Sequence, residues 1–381
     1  MDKNLMVGFA VFALSVLAFS AVADAVIPDP LPDPDGQPAD MSKPVQVYIL
    51  MGQSNMLGYG TIAGTTDGTL EYAVNNKGKY PYVVDGAGNW TTRQDVRYAR
   101  VQSSGTGVMS VKNNAWLTVG QGNTSSLIGV ELGIGHYLGY ATDAPVLLIK
   151  SCIGNRALGW DLLPPGSVQY DYNGYTYPGY GGSPERWPTG TTPTPIGWYA
   201  GMQYDGDVRN AKTVLQNLDT YYPGATEYEV AGFFWWQGDR DRYTDGHAIR
   251  YEQNLVQLIE QLRKEFNAPD AKFVCATLGQ TDKDATPSNQ TEINEADILD
   301  AMFAVSDPAK YPQFEGNVAT VYSHPLSMGS DSASHYGGNA ETYMNVGEGM
   351  GKAMVTLIIP EPTSLALMAA GLAGIWLKRR R

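Results

Sequence analysis

Val45-Gln46-Val47-Tyr48-Ile49-Leu50-Met51 runs without a break into Gly52-Gln53-Ser54-Asn55-Met56. The first seven residues are mostly apolar and β-rich. The run stops at a glycine followed by small polar residues, the pattern of a buried strand that ends in a tight turn. In open α/β sheets ligands bind just beyond the carboxyl ends of strands, so Ser54 stands where a nucleophile is useful. If a helix begins at this turn, its free N–H groups face whatever Ser54 attacks. Serine is equally at home as a helix N-cap, and these residues alone leave both roles open.

Outward from this stretch the chain repeats the same theme. Residues 145–150 and 228–236 are nearly continuous apolar runs, as in strands of a parallel sheet, and 272–278 and 316–322 read as two more. Between them lie helical patterns at 126–140, 201–218, 251–266 and 292–305. Tyr343, Val346, Met350 and Met354 make the stripe of a last helix. These elements predict an α/β fold, a three-layer sandwich around a mostly parallel five-stranded sheet. Two insertions interrupt it. Residues 58–122, rich in Gly, Asn, Thr and Tyr, read as loops and short strands over the sheet edge. Residues 161–198, dense in Gly, Pro, Tyr and Trp, exclude a regular helix. There Trp187 and Trp198, with Trp160 just before, either wall a substrate cleft or plug the insertion's own small core.

The chain has 381 residues, is 43% hydrophobic and carries a formal net charge of −13. An acidic surface argues against nucleic acid and anionic membranes, both of which require a basic footprint. The 24 Tyr and 8 Trp are side chains common in sugar-binding clefts and in ordinary cores. Residues 1–25 read as a secretory signal peptide: a basic Lys3, an apolar run from Val7 to Phe19, and Ala23-Asp24-Ala25 as the cleavage site. Residues 26–43 form a Pro/Asp-rich linker. A catalytic domain is expected over 44–358. In the terminal segment, 359–381, Pro360-Glu361-Pro362 precedes an apolar run and then Lys378-Arg379-Arg380-Arg381. Either end places the domain outside the cytoplasm, at the cell surface or beyond, with membrane contact only through these terminal segments. Without residues 1–25 and 363–381 the body holds 21 basic and 37 acidic residues. Cys152 and Cys275 both fall in or just after apolar runs and read as buried thiols on neighbouring strands. No C-x-x-C or His-rich cluster points to a metal.

Gly52-Gln53-Ser54-Asn55-Met56 after a strand resembles the first block of the SGNH hydrolases, and within them the sialate O-acetylesterase-like and acetylxylan esterase branch (carbohydrate esterase family 6). Later blocks follow in order. Gly129-Val130-Glu131 opens a helix, and Ser151-Cys152-Ile153-Gly154-Asn155-Arg156 is a small-residue loop after a strand. Trp236-Gln237-Gly238-Asp239 is similar to the family's aromatic-Gln-Gly-acid motif, with Asp in place of the frequent Glu. Asp331-Ser332-Ala333-Ser334-His335 departs by one residue from the family's Asp-x-x-His. The resemblance implies a flavodoxin-like SGNH fold and a serine esterase needing neither metal nor cofactor. It implies Ser54 as nucleophile and His335 as base, with Asp331 or Asp239 as the orienting acid and Asp331 preferred. The implied oxyanion hole is the N–H groups of Ser54 and Gly129 with the Gln237 side chain. Asn55, Arg156 and Trp236 would contact substrate, although Arg156 reads equally as a surface charge. The Pro-Glu-Pro, apolar, basic order at the C-terminus resembles the PEP-CTERM sorting signal, which implies an exosortase-type processing enzyme as a partner.

The residue types suit the chemistry. A serine hydroxyl needs a base within hydrogen-bond reach, and the base needs an acid to orient it. Preorganised donors stabilise the oxyanion that ester hydrolysis creates. The expected function is a secreted serine carbohydrate esterase that removes O-acetyl groups from a polysaccharide or a sialic-acid-type sugar. Two alternatives stay open: an SGNH esterase for non-sugar esters, and a non-catalytic exported glycan-binding protein on an esterase scaffold.

Overall fold

A computed structural model describes residues 37–359; the expected signal peptide, most of the linker and the basic terminal segment lie outside the described residues. Seven strands make the central sheet: β1 (Val45–Gly52), β2 (Thr92–Gln102), β3 (Ser110–Thr118), β4 (Val146–Ser151), β5 (Tyr228–Trp236), β6 (Lys272–Ala276) and β7 (Val318–Val321). Their spatial order is β7-β6-β5-β1-β4-β2-β3. All neighbours pair in parallel except β2 with β3. The five strands expected from the apolar runs thus stand in the flavodoxin-like order, with the topological switch between β1 and β5.

The expected count of five strands is corrected to seven, because β2 and β3 come from the insertion read as loops and short strands. β2 escaped notice because a buried strand is expected to be apolar, and this one carries Arg93, Asp95, Arg97 and Arg100. Each charged side chain is hydrogen-bonded internally. Arg93 makes a bidentate pair with Asp95, and Arg97 donates to the Tyr221 carbonyl and to Asn114. Arg100 donates to the Gly122 carbonyl. Buried charge is tolerated when paired and hydrogen-bonded.

The principal helices are α1 (Ser54–Leu57), α2 (Glu131–Ala141), α3 (Met202–Gln216), α4 (Tyr251–Glu265), α5 (Gln290–Ala304) and α6 (Ala340–Ile358). Alternate residues of β1 point to opposite faces. Val45, Val47, Ile49 and Met51 join a core with α3, α4 and α5. Tyr48 and Leu50 join another with α2 and α6. This is the expected three-layer sandwich, with both faces of the sheet buried. Helices α2 and α6 touch backbone to backbone. A Cβ on Gly133 would come within 2.6 Å of the Glu348 nitrogen, and one on Gly347 within 2.6 Å of the Val130 carbonyl oxygen. Cys152 and Cys275 are both free and buried. They are not on neighbouring strands as expected. β6 is separated from β4 by β5 and β1, and the two thiols belong to opposite cores. In the second insertion Trp160 and Trp198 pack with Ala157, Leu163 and Ala200 as a small core of their own.

Candidate active site

The switch between β1 and β5 opens a crevice beyond Gly52 and Trp236, which are paired across the two strands. Gly52 has φ +148°, and a Cβ there would meet the Trp236 carbonyl oxygen at 2.3 Å. Only glycine lets the two strand ends close this tightly. The chain then turns into α1, whose first residue is Ser54. The first N–H groups of a helix have no intrahelical acceptor, and Ser54 stands at that position in α1. Ser54 is nearly buried. The loop after β4 approaches it: a Cβ on Gly154 would lie 3.4 Å from the Ser54 Cβ.

His335 comes from the loop between β7 and α6. Four consecutive residues, His335 to Gly338, have positive φ of 53°, 56°, 62° and 73°. Left-handed geometry in His335 and Tyr336 costs about 1–3 kcal/mol each, and such strain persists only where the surroundings enforce it. Here Tyr336 is the anchor. Its ring stacks on Trp236 at 5.7 Å, and its hydroxyl accepts from the Gly279 N–H. The His335 imidazole lies flat on Tyr59, with centroids 3.9 Å apart and planes at 8°. Burial lowers its pKa below the ordinary 6.5, and the Asp239 charge acts in the opposite sense. No hydrogen bond joins His335 to Ser54 among the described residues. Catalytic hydrogen bonds are often long before substrate binds. His136 and His247 are fully buried and His324 bonds the Gly279 carbonyl, which leaves His335 as the histidine at this crevice.

The two candidate acids differ in setting. Asp239 is buried, accepts from the Ser332 hydroxyl at 2.5 Å and is the carboxylate whose charge reaches His335. Asp331 turns away: it accepts from Ser334, lies 3.6 Å from Arg242 and is partly exposed. Ser332 therefore ties the His335 loop to Asp239. Its carbonyl accepts from Asn55, the neighbour of Ser54.

Gln237 is buried and fully engaged. Its amide nitrogen donates to Gln53 Oε1 at 3.0 Å, the Arg156 carbonyl at 2.8 Å and Asp241 at 2.5 Å, and its oxygen accepts from Tyr251. Two N–H bonds facing three acceptors leave none aimed at a substrate. The Gly129 N–H is likewise committed, to Glu131 at 3.1 Å, and Glu131 is ion-paired with buried Lys150. Trp236, expected to touch substrate, is instead a core residue: it is fully buried and its indole N–H donates to the Thr277 carbonyl. Asn55 is buried too and serves the loop rather than the crevice. Arg156 keeps part of its surface open, stacked at 5.0 Å over Trp198. Gln53, Gly154 and Ser332 lie inside the quoted motifs beside neighbours with more obvious chemistry, and Tyr59 carries no local signal in the sequence.

Residues 181–356 match the family described as carbohydrate esterase, sialic acid-specific acetylesterase, and residues 359–381 match the PEP-CTERM protein-sorting motif. Residues 181–356 are thus similar to a sialate-type carbohydrate acetylesterase domain, and the terminal match is to a sorting motif that indicates export and surface sorting. The matched region contains Gln237, Asp239 and His335, and Ser54 lies upstream of it. No curated protein matches the chain. Among solved structures the chain is similar to a protein from Arabidopsis thaliana, at 14% identity and TM-score 0.45, over 82% of this chain and 99% of that one. It is also similar to XAC1771, a carbohydrate acetylesterase from Xanthomonas citri, at 14% identity and TM-score 0.46, over 82% and 55%. A third is NanS, at 15% identity and TM-score 0.38, over 74% and 78%. Among the described residues no helix is long and apolar enough to cross a membrane.

Proposed function

We propose that the protein is an exported serine esterase that removes O-acetyl groups from a carbohydrate, a polysaccharide or a sialic-acid-type sugar. The observation that carries this reading is the convergence at the carboxyl end of the sheet of Ser54, the Gly154 backbone, His335 and the buried pair Ser332–Asp239. Ser54 attacks the acetyl carbonyl while the His335 imidazole accepts its proton. The imidazolium then returns that proton to the departing sugar oxygen, which leaves an acetyl-serine. Water, deprotonated by His335, releases acetate. Asp239, rather than Asp331, is the acid that supports the imidazolium, because its charge acts on the imidazole and Asp331 is bonded to Ser334. The Ser54 N–H and the Gly154 backbone receive the oxyanion. Gly129 and Gln237, whose N–H groups are committed, position the surrounding loops. The sorting motif supports export, with an exosortase-type enzyme as the processing partner.

The experiment is acetate release from acetylated xylan and from an aryl acetate, with Ser54→Ala and His335→Ala as controls. Each variant is expected to lose at least about 10³-fold in rate. Release that survives in Ser54→Ala overturns the serine mechanism. Folded protein that releases acetate from no substrate favours the glycan-binding reading, for which the absent Ser54–His335 hydrogen bond is the motive.

A further inference from the structure

Beside Asp239 the surface opens into a cleft of about 640 Å³, within the range of small-molecule sites, roughly 300–1,000 Å³. Arg242, Asp331 and Gln280 line it with Asp282, Glu292 and Glu295, and Arg242 lies 3.1 Å from Asp239. The connection is covalent and hydrogen-bonded. Asp331 precedes Ser332, whose hydroxyl donates to Asp239 and whose N–H donates to Gln280.

The charges in this cleft are one-sided. Four carboxylates face a single guanidinium, and that guanidinium is already compensated. Arg242 is buried, lies 3.1 Å from Asp239 and 3.6 Å from Asp331, and donates to Glu295. The neighbouring Lys283 stands 5.9 Å over the Tyr322 ring. Three of the lining acids, Asp282, Glu292 and Asp331, are held in the charged form. The Asp284 N–H lowers the pKa of Asp282 and the Ser288 N–H lowers that of Glu292. Burial pushes Asp331 upward but is outweighed by its Ser334 bonds and by Arg242. Threonine and asparagine side chains fill the gaps between the acids. Such a wall hydrogen-bonds hydroxyl groups and repels carboxylates.

We infer that this cleft holds the sugar part of the substrate, and that it selects an uncharged O-acetylated sugar over one bearing a carboxylate. The inference rests on the esterase reading and narrows it, against the sialic acid in the description of the matching family. The test uses two O-acetylated methyl glycosides matched in ring and acetyl position, a glucoside and the corresponding glucuronide. The glucoside is expected to have the higher kcat/KM, by about tenfold at low salt. Asp282→Asn combined with Glu292→Gln raises the glucuronide-to-glucoside ratio about five- to tenfold, and about 1 M salt removes that gain. Equal or preferred turnover of the glucuronide, or an unchanged ratio in the double variant, overturns the inference. An aryl acetate is assayed in parallel. If the wild-type protein hydrolyses neither it nor either glycoside, the esterase reading fails. The cleft is then decided by calorimetric binding of the two glycosides to Ser54→Ala protein. Tighter glucoside binding supports the inference; equal, reversed or absent binding overturns it.

Discussion

The Tyr59 ring covers one face of the His335 imidazole in a parallel stack with 3.9 Å between centroids. The stack does two things: it fixes the plane of the ring, and it removes water from one side, the burial that lowers the His335 pKa. Because the base must be neutral to accept the Ser54 proton, activity is present above this pKa and lost below it. The acid limb of the kcat/KM profile is therefore expected to have its midpoint below 6.5. Tyr59→Phe preserves both midpoint and rate. Tyr59→Ala readmits water, moves the midpoint up toward 6.5, and lowers kcat about tenfold. Identical profiles for the Ala variant and the wild type would remove Tyr59 from the mechanism.

Asp239 and Asp331 make opposite predictions. Asp239→Asn removes the carboxylate whose charge raises the His335 pKa, so the acid limb moves to still lower pH and the rate falls about 10³–10⁴-fold. Asp331→Asn loses only partly exposed contacts to Ser334 and Arg242 and is expected to stay within about fivefold of the wild-type rate. Steady-state kinetics on the two variants decide between them, and the reverse ranking would restore Asp331 as the acid.

Glu131 and Lys150 form an ion pair almost wholly removed from solvent. Breaking such a pair from one side strands a buried charge, at a cost of about 3–5 kcal/mol. Lys150→Met is expected to lower stability by this amount in urea unfolding. Adding Glu131→Gln, which keeps an acceptor for the Gly129 N–H, should recover more than half of it. Additive losses in the double variant would contradict the pairing.

Asp207 is a buried carboxyl that accepts from Ser151 and Gln203, and its second oxygen has no partner. Burial pushes its pKa up to about 8 from 3.8. Between these values the folded chain holds a proton that the unfolded chain has released, so this group's contribution to stability falls as pH rises across the window. Asp207→Asn removes that slope. Its melting temperature is expected to exceed the wild-type value most clearly near pH 8. A parallel pH dependence in both proteins would show that the group does not titrate in this way.

What could be read from residues alone follows from which interactions are local. β1, β4 and β5 announce themselves because both faces are buried and their side chains are apolar. The stripe Tyr343, Val346, Met350 and Met354 gives α6 in the same way. β2 did not, because its arginines find acceptors as distant as the Tyr221 carbonyl, a partner no local pattern reveals. At the site, Ser54 and His335 stand at the ends of legible elements. The fate of the Gln237 amide depends on Gln53, Arg156, Asp241 and Tyr251, four segments that meet only in the fold. Its motif indicated importance, and tertiary contacts decided that the importance is positional.

The proposed nucleophile and base lie far apart in sequence, one just after the first strand and the other on the loop that leads into α6. The Gly133–Gly347 contact locks that helix against α2. During synthesis the nucleophile emerges early and stays without its base until nearly the whole domain has left the ribosome. A chain interrupted before residue 335 can be apolar, collapsed and even strand-rich, yet it has no means of deprotonating Ser54. With Ser54 and His335 in the proposed roles, reactivity is a property acquired at completion, gained only once α6 is seated.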